Sequence, residues 1–182
     1  MKYLFGLLSL PLVIFLCIAR LLEGFYGASQ WASLIPGELG NHTRRIFYKI
    51  FLKKCGKNLY VAIGTLFTRP DISIGNNVRF GPYNTVGLVD FGDDVTIAQN
   101  VHFLSGSHQH GTKDITIPMN RQQGELRRIS LGSDIWVGAG AIIMADVANG
   151  SVIASGAVVS SDIKEAAMIW GGIPAKVLAT RG

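Results

Sequence analysis

From residue 72 onward, apolar residues recur at about every sixth position, and this period constrains the fold more than any other feature of the chain. The segments read ISIGNNVR, FGPYNT, VGLVD, FGDDVT, IAQNVH and FLSGSH, then LGSDIW, VGAGAI, IMADVA, IASGAV and VSSDIK. The leading positions are all apolar: Ile74, Phe80, Val86, Phe91, Ile97, Phe103, Leu131, Val137, Ile143, Ile153 and Val159. A period of six fits neither an amphipathic helix nor a regular alternating hairpin.

The period indicates short strands joined by tight corners, with one side chain of each strand pointing into a narrow core. Glycine follows the leading residue where it relieves the bend, at Gly75, Gly81, Gly87, Gly92, Gly132 and Gly138. Three hexads make one triangular turn, and stacked turns pair their strands in parallel. The predicted fold is therefore mainly β, a parallel β-helix over residues 58–182 with a C-terminal segment at 164–182.

Residues 105–128, SGSHQHGTKDITIPMNRQQGELRR, interrupt the repeat. They are polar and aperiodic, so they are predicted to protrude as a loop. His108 and His110 lie at the start of this loop, directly after a core strand. Loops held on a rigid scaffold are a common place for catalysis. His102, at the last position of a hexad, is expected to face outward.

Residues 1–57 form a separate, membrane-directed region. Residues 3–19 carry no charge, and Leu21 and Leu22 extend the apolar run past Arg20. The run is short for a bilayer span but long for a signal peptide, and no small-x-small cleavage site follows it. Pro11 predicts a kink. A helix that crosses the membrane and one that re-enters the same leaflet are both compatible with this pattern.

The segment RRIFYKIFLKKCGK, residues 44–57, predicts an amphipathic helix. Its apolar face consists of Ile46, Phe47, Ile50 and Phe51, and the remaining surface is basic: Arg44, Arg45, Lys49, Lys53 and Lys54. This pattern favours a helix lying on anionic membrane lipid. The alternative is a helix that packs its apolar face on the folded domain.

The positive charge is concentrated in the N-terminal third. Residues 1–69 hold nine Lys or Arg against two carboxylates, whereas the formal charge of the whole chain is only +5. A nucleic-acid-binding protein would carry this charge on its folded domain, so no nucleic-acid partner is predicted. Basic residues after the apolar run place the β-helix at the cytoplasmic face of the inner (plasma) membrane.

Several stretches resemble the hexapeptide-repeat acyltransferases, which fold as a left-handed parallel β-helix. The matching stretches are IGNNVRFGPYNT, FGDDVTIAQNVHFLSGSH, ISLGSDIWVGAGAII, GSVIASGAVVSSDI and GGIPAKVL, within residues 72–178. The sequence is most similar to the branch of maltose, galactoside and nodulation O-acetyltransferases and of capsule or O-antigen O-acetyltransferases. The resemblance implies a homotrimer with its active sites between neighbouring columns and acetyl-CoA as co-substrate.

The resemblance also assigns His108 as the catalytic general base. A neutral imidazole titrates near physiological pH, so it can accept a hydroxyl proton as that oxygen attacks the thioester. A carboxylate or a backbone carbonyl should orient the other ring nitrogen. Asp90, Asp93 and Asp114 are the candidates for that carboxylate, and the sequence does not choose among them.

The remaining predicted site residues follow from the same resemblance. Trp136, Gly138 and Ala139 match the segment beside the thioester, and the Ala139 N–H is the expected oxyanion contact. The cofactor-binding residues would be Ala139, Ser155, Ser160, Lys176 and Arg181. The acceptor-binding residues would be Asn84, Asp90 and His110.

Metal chemistry is not predicted. Two loop histidines separated only by Gln109 differ from the wider spacing in the zinc-binding β-helical carbonic anhydrases, and Cys17 and Cys55 form no zinc-binding motif or expected disulfide. The predicted function is acetyl-CoA-dependent O-acetylation of a sugar hydroxyl, on a cell-surface polysaccharide or its lipid-linked precursor. Its alternatives are N-acetylation of an amino sugar and a non-catalytic assembly scaffold.

Overall fold

The computed structural model describes residues 2–182, with side chains from Phe5 onward, as two helices followed by a three-sided column of strands. Helix α1 spans Lys2–Leu34 and helix α2 spans Gly37–Phe51. Strands β1 to β16 are, in order, Lys54–Cys55, Tyr60–Val61, Leu66–Phe67, Ser73–Ile74, Arg79–Phe80, Thr85–Val86, Val89–Phe91, Thr96–Ile97, His102–Phe103, Ile129–Leu131, Trp136–Val137, Ile142–Ile143, Val152–Ile153, Val158–Val159, Met168–Gly171 and Lys176–Thr180. A 3-10 turn, Met119–Arg121, lies between β9 and β10.

The strands form three sheets, one along each side of the column. Their orders are β1-β4-β7-β10, β2-β5-β8-β11-β13-β15 and β3-β6-β9-β12-β14, all with parallel pairing, and β16 adds to β15 in antiparallel fashion. Isolated bridges continue the first side through Leu131, Val147 and Ile163. The chain is therefore a parallel β-helix of about 6 turns, which confirms the predicted fold class.

The first turn of the column begins earlier than the repeat predicts. Helix α2 ends at Phe51, and β1 already starts at Lys54, inside the segment 44–57 that the sequence predicts as helix. A signal was present, because Cys55, Val61 and Phe67 keep the spacing of six and Gly56 follows the first of them.

The core of the column contains two inward side chains per strand rather than the one predicted. All eleven leading residues are buried, with exposures of 5% or less. The residue two positions before each is buried as well: Ile72, Val78, Asn84, Val89, Val95, Val101, Ile129, Ile135, Ala141, Ser151 and Ala157. The prediction missed them because a strand alternates with period two, so each outward residue is flanked by two inward ones.

An aromatic ladder joins the helices to the column. The rings of Phe67, Phe80, Phe91 and Phe103 follow one another edge to face with centroids 5.1 to 5.2 Å apart. Tyr48 of α2 continues this ladder, since its ring centroid lies 4.4 Å from that of Phe67. The edge-to-face geometry is the favourable one for aromatic pairs, so the helices and the first turns share one core.

Helix α1 is a hairpin of two arms. Gly24 has dihedral angles outside the helical region (φ 77°, ψ −178°), where only glycine is comfortable. The rings of Phe15 and Trp31 lie 5.9 Å apart, although a straight helix would separate these positions by about 24 Å. We call residues 2–23 the first arm and residues 25–34 the second arm. Pro11, where a kink is predicted, lies within the first arm, and the chain reverses at Gly24.

Both arms pack on α2. Ser9 Oγ lies 3.1 Å from His42 Nδ1, and the Arg20 guanidinium lies 5.3 Å from the Phe51 ring centroid, so the first arm runs parallel to α2. Ser29 Oγ in the second arm lies 2.8 Å from the Tyr48 hydroxyl. By length and composition alone, Phe5–Leu34 is the one helix within residues 2–182 that is apolar enough to cross a membrane.

Arg44 of α2 covers the open edge of the first turn. It is predicted among the lipid-facing cations, but the structure buries it at 1% exposure. Its Nε donates to the Val61 carbonyl at 2.8 Å, and one terminal nitrogen donates to the carbonyls of Ala32 and Ile35 at 3.0 and 2.6 Å. Burial lowers the pKa of Arg44 from its ordinary value. A buried guanidinium with three acceptors satisfies a strand edge and a helix C-terminus together.

Two further side chains complete this cover. Ser29 Oγ accepts the Phe67 N–H at 3.2 Å, and Asn41 Oδ1 accepts the Val61 N–H at 3.2 Å. Phe47, predicted on the lipid-facing side of the helix, is fully buried. The face of α2 centred on Phe47 and Tyr48 therefore packs on the domain, as the alternative prediction has it.

Candidate active site

The loop between β9 and β10 leaves the column through a tightly packed root. Ser105 is buried, and its Oγ accepts the Leu88 N–H at 2.9 Å. Gly106 has φ +83°, and a Cβ on it would lie 2.7 Å from Cβ of Arg127. Small residues are therefore required before His108, and they fix the point at which the loop leaves the column.

His108 follows this root with an exposed side chain. Its carbonyl accepts the Glu125 N–H at 2.8 Å, and the Ser105 carbonyl accepts the Arg127 N–H at 2.9 Å. These two bonds pair the outgoing and returning strands of the loop. The backbone of His108 is thus held in place while its imidazole stays accessible.

Arg127 fastens the returning end of the loop to later turns of the column. Its guanidinium lies 2.7 Å from Asp146 and 2.9 Å from Asp162. The Asp146 N–H, and after it the Arg127 guanidinium, hold the pKa of Asp162 below its ordinary value. Both carboxylates also accept backbone N–H groups of the column: Asp162 accepts the Asp146 N–H, and Asp146 accepts the Ser130 N–H at 2.8 Å.

Arg128 fastens the same end to earlier turns. It lies 3.0 Å from Asp90 and 3.1 Å from Asp71, and it also donates to the Asp71 carbonyl at 2.6 Å. The same Asp90 oxygen accepts the Ser73 N–H at 2.8 Å. Asp90, predicted both to orient His108 and to bind the acceptor, is therefore engaged in holding the loop.

His108 and His110 line one open cleft of about 630 Å³ on the loop, and Asp114 lies on its wall. Hydrogen bonds from the Thr116 hydroxyl and N–H hold the pKa of Asp114 below its ordinary value, so it is an anion at neutral pH. Asp93 lies instead at a corner of the column, where it accepts the Asn76 N–H at 2.6 Å. Of the three candidate carboxylates, only Asp114 shares the cleft with His108.

Trp136 lies in a second groove, of about 360 Å³, on the outer face of β11. Its side chain is 55% exposed, and Thr96 and Val152 flank it on the neighbouring strands. Arg181, predicted to assist at the cofactor phosphates, is bound here to Asp134 at 2.8 Å. The groove pairs an exposed aromatic surface with a basic residue whose charge is already partnered.

The small residues after Trp136 stack closely on the next turn. A Cβ on Gly138 would lie 2.5 Å from the Ser155 N atom, so this corner has no room for a side chain. The Ala139 N–H donates to no acceptor within residues 2–182, and the same holds for Gln99 and Ser155 at equivalent corners. The free N–H predicted as an oxyanion contact is thus present, but the repeat itself produces it.

Ser160 and Lys176 line a third hollow, of about 210 Å³, together with Trp170. Arg181 does not share it. Within one chain, His108, Trp136 and Lys176 consequently lie in three separate hollows, and Arg181 shares the groove of Trp136.

Asn84, predicted to bind the acceptor, is fully buried and has no exposed atom to offer a sugar. Its amide donates to the Gly81 carbonyl at 2.8 Å and accepts the Val101 N–H at 2.7 Å. The prediction counted one inward residue per strand and so missed Asn84, two positions before Val86; its assignment to the acceptor is corrected here.

Among the described side chains, 5–182, no three His, Cys, Asp or Glu residues come close enough together to hold a metal ion. The cleft beside His108 is lined by two imidazoles, by the Asp114 and Glu125 carboxylates and by further polar side chains.

No family model matches the sequence, and no curated protein does. Solved structures do match. A maltose O-acetyltransferase from Clostridium difficile is 20% identical, with a TM-score of 0.74 over 92% of this chain and 89% of that one. A galactoside acetyltransferase in complex with coenzyme A is 22% identical, with a TM-score of 0.73 over 92% and 82%.

An N-acyltransferase from Bacillus cereus, in complex with dTDP and 3-hydroxybutyryl-CoA, is 19% identical, with a TM-score of 0.58 over 76% of this chain and 88% of that one. Likeness at these identities shows a shared fold. The chain thus shares the fold of two of these acetyltransferases over 92% of its length, and its β-helix begins at Lys54.

Proposed function

We propose that this protein is an acetyl-CoA-dependent O-acetyltransferase that acetylates a sugar hydroxyl of a cell-surface polysaccharide or its lipid-linked precursor. Two proteins of the same fold are named as acetyltransferases of maltose and of galactosides, and one of them binds coenzyme A. The observation that carries the proposal is the placement of His108. Its imidazole is exposed on a cleft wall while its backbone is fixed at the root of a fastened loop.

Direct transfer needs only one acid–base group from the protein. When bound, acetyl-CoA supplies an acetyl group activated as a thioester. His108 accepts the proton of the acceptor hydroxyl as its oxygen bonds to the acetyl carbon. The carbon–sulfur bond breaks, and the imidazolium returns the proton to the departing sulfur, which leaves as the free thiol. Asp114, an anion on the same cleft, would stabilise the imidazolium.

The coenzyme would lie along the sides of the column. Trp136 offers an exposed ring, and the closely stacked Gly138 leaves room for a ligand to approach the free N–H of Ala139. Ser155, Ser160 and Lys176 are exposed along the same end of the column. Arg181 could reach a phosphate only by exchanging its present partner Asp134.

A homotrimer would bring the separate hollows together. In one chain the cleft of His108 and the groove of Trp136 do not meet, and a neighbouring column would close both. Sites between identical subunits of a cyclic trimer combine different faces of the same chain. The acceptor would then bind between His110 and the neighbouring column.

The first alternative is N-acetylation of an amino sugar. The N-acyltransferase of the same fold supports it, since that protein was crystallised with a nucleotide and an acyl-CoA. A hydroxyl must lose its proton as it attacks, whereas a neutral amine attacks first. Activity on an amino sugar with little loss in His108→Ala would favour this alternative.

The decisive experiment measures free thiol released from acetyl-CoA in the presence of chemically deacetylated cell-surface glycans. His108→Ala is expected to lower turnover by about 10² to 10⁴-fold, the usual contribution of a general base, while binding of CoA itself stays unchanged. His102→Ala is the matched control, because this exposed histidine lies on β9 outside the cleft.

Undiminished turnover in His108→Ala would contradict the assignment of the base. Absence of thiol release by the unaltered protein with every glycan, together with intact CoA binding, would favour the other alternative, an assembly scaffold.

The acceptor would be reached at the cytoplasmic face of the membrane. The exposed apolar side chains of α1 and the cations of α2 support this location. Removing residues 1–51 should release the β-helix from the membrane fraction, and retention there would contradict the location.

A further inference from the structure

More than half of the exposed large apolar side chains of the described chain lie on α1. They are Leu7, Leu8, Leu10, Ile14, Phe15, Ile18, Leu21, Leu22, Tyr26, Trp31 and Leu34, which we name the apolar ridge. On the first arm they recur every seven residues, as Leu7, Ile14 and Leu21, which places them on one face of a helix. Monomeric soluble proteins seldom leave so large an apolar face in water.

The opposite face of the first arm is already occupied. Ser9, Val13, Leu16 and Ala19 are buried, at 7% exposure or less. The contacts of Ser9 with His42 and of Arg20 with Phe51 show that the arm lies along α2 over most of its length.

This packing decides between crossing and re-entry. If the first arm crossed a bilayer, Ser9 would lie within the hydrocarbon, and His42 would lie there with it. The polar residues near His42 on α2, among them Glu38 and Arg45, would then also lie in the hydrocarbon. Charged groups at that depth are costly, so the arm must lie along the membrane surface.

Positive charge gathers where the arm ends. Because the first arm and α2 run parallel, their C-terminal ends meet, and Arg20 lies over Phe51 just before Lys53 and Lys54. Neither lysine forms an ion pair with any described side chain, and the buried Nε of Arg20 has no hydrogen-bond partner there. Leu21 and Leu22, 84% and 79% exposed, adjoin these cations.

We infer that this protein is monotopic: the apolar ridge inserts into one leaflet, and Arg20, Lys53 and Lys54 lie among the phosphates of anionic lipids. The inference specifies the membrane location proposed above and does not depend on acetyl transfer. A second copy of the chain is a less favourable partner for the apolar ridge than lipid, because a symmetric pair would bring Arg20, Lys53 and Lys54 of both copies close together.

Vesicle co-sedimentation of the full chain tests the ridge. The probes are vesicles of neutral phosphatidylcholine and of phosphatidylcholine mixed with anionic phosphatidylglycerol. Replacing Leu21 and Leu22 with Glu should weaken binding to both by at least about a hundredfold, given the apolar area lost. Ile115→Glu is the control, because Ile115 is 97% exposed on the loop. Unchanged binding of the leucine variant would overturn the inference.

Charge reversal tests the headgroup contact. Lys53→Glu with Lys54→Glu should weaken binding by at least about thirtyfold on the anionic vesicles and little on the neutral ones. Lys113→Glu with Lys164→Glu has the same net charge and should bind as the unaltered chain does. Equal losses in both pairs would show a general charge effect and contradict a located site.

A protease-accessible tag fused ahead of Met1 tests the topology in sealed inside-out membrane vesicles. Cleavage of the tag from the side that carries the β-helix is expected. Protection of the tag would show that the arm crosses the bilayer. Lipid-free self-association that depends on Leu21 and Leu22, with unchanged vesicle binding, would assign the ridge to a second copy. Thiol release with a soluble glycan, measured on the same variants, reports the enzymatic proposal separately.

Discussion

In the column, nearly all inward side chains are apolar, with Asn84 and Ser151 among the exceptions. The helical cap, formed by α1 and α2, instead buries an arginine and carries more than half of the exposed large apolar side chains of the described chain. The column has one inside, and each strand repeats the same arrangement around it. The cap has two sides with different requirements. Its inner side must provide hydrogen-bond partners for the unpaired edge of the first turn, and its outer side carries the exposed apolar side chains. Polarity therefore predicts burial in the column but not in the cap.

The largest expected effect compares an aromatic side chain inside the column with an apolar one on the cap. Phe80→Ala removes a fully buried ring that contacts Phe67 and Phe91, and it should lower the free energy of unfolding by about 3 to 5 kcal/mol. Leu21→Ala, at an 84% exposed position, should change it by less than about 0.5 kcal/mol in detergent-free buffer. Denaturant titration followed by circular dichroism measures both, and similar losses would break the comparison.

The next effect concerns polarity within the cap. Arg44→Leu leaves the carbonyls of Val61, Ala32 and Ile35 without their donor, so it should cost about 3 kcal/mol of unfolding free energy. The neighbouring Arg45→Leu, on the half-exposed side of α2, should cost less than about 0.5 kcal/mol. Equal midpoints for the two variants in thermal melts would show that the buried guanidinium does not hold the cap on the column.

The smallest effect on stability concerns the loop. Arg127→Ala removes two half-exposed ion pairs, so it should lower the free energy of unfolding much less than loss of the buried Arg44 does. It should nevertheless speed protease cleavage within residues 105–128, because the returning segment of the loop is no longer held on the column. It should also lower kcat while changing KM less, because the backbone of His108 is no longer fixed. Arg127→Lys should restore part of both. Normal loop protection in Arg127→Ala would show that Arg128 alone is sufficient.

Acid should reproduce part of this loss. The folded pKa of Asp162 is below its ordinary value, so the folded state binds fewer protons than the unfolded state in that range. The stabilisation is present at neutral pH and is lost as the pH falls through the folded pKa. Proteolysis of the loop at decreasing pH should show this, and Asp162→Asn should flatten the dependence.

Part of the site could be predicted from the sequence. The interrupted period placed His108 at the start of the loop, and the resemblance assigned it as the base, which stays a prediction. The structure explains the small residues before it by the buried Ser105 and the tightly packed Gly106. The contribution of Arg127 and Arg128 was missed, although two arginines directly before a resumed repeat were a visible signal. Their carboxylate partners lie 19 or more residues away in other turns, and no spacing rule connects them.

The sequence by itself determined the column, because parallel stacking leaves only the position of a residue within the hexad to decide whether it faces in or out. Only the tertiary structure decided the burial of Arg44 and the reversal of α1 at Gly24. Each of these depends on what lies opposite a residue: an unpaired carbonyl or a neighbouring helix. Such partners come from distant parts of the chain, and the sequence of an aperiodic segment does not predict which of them it will contact.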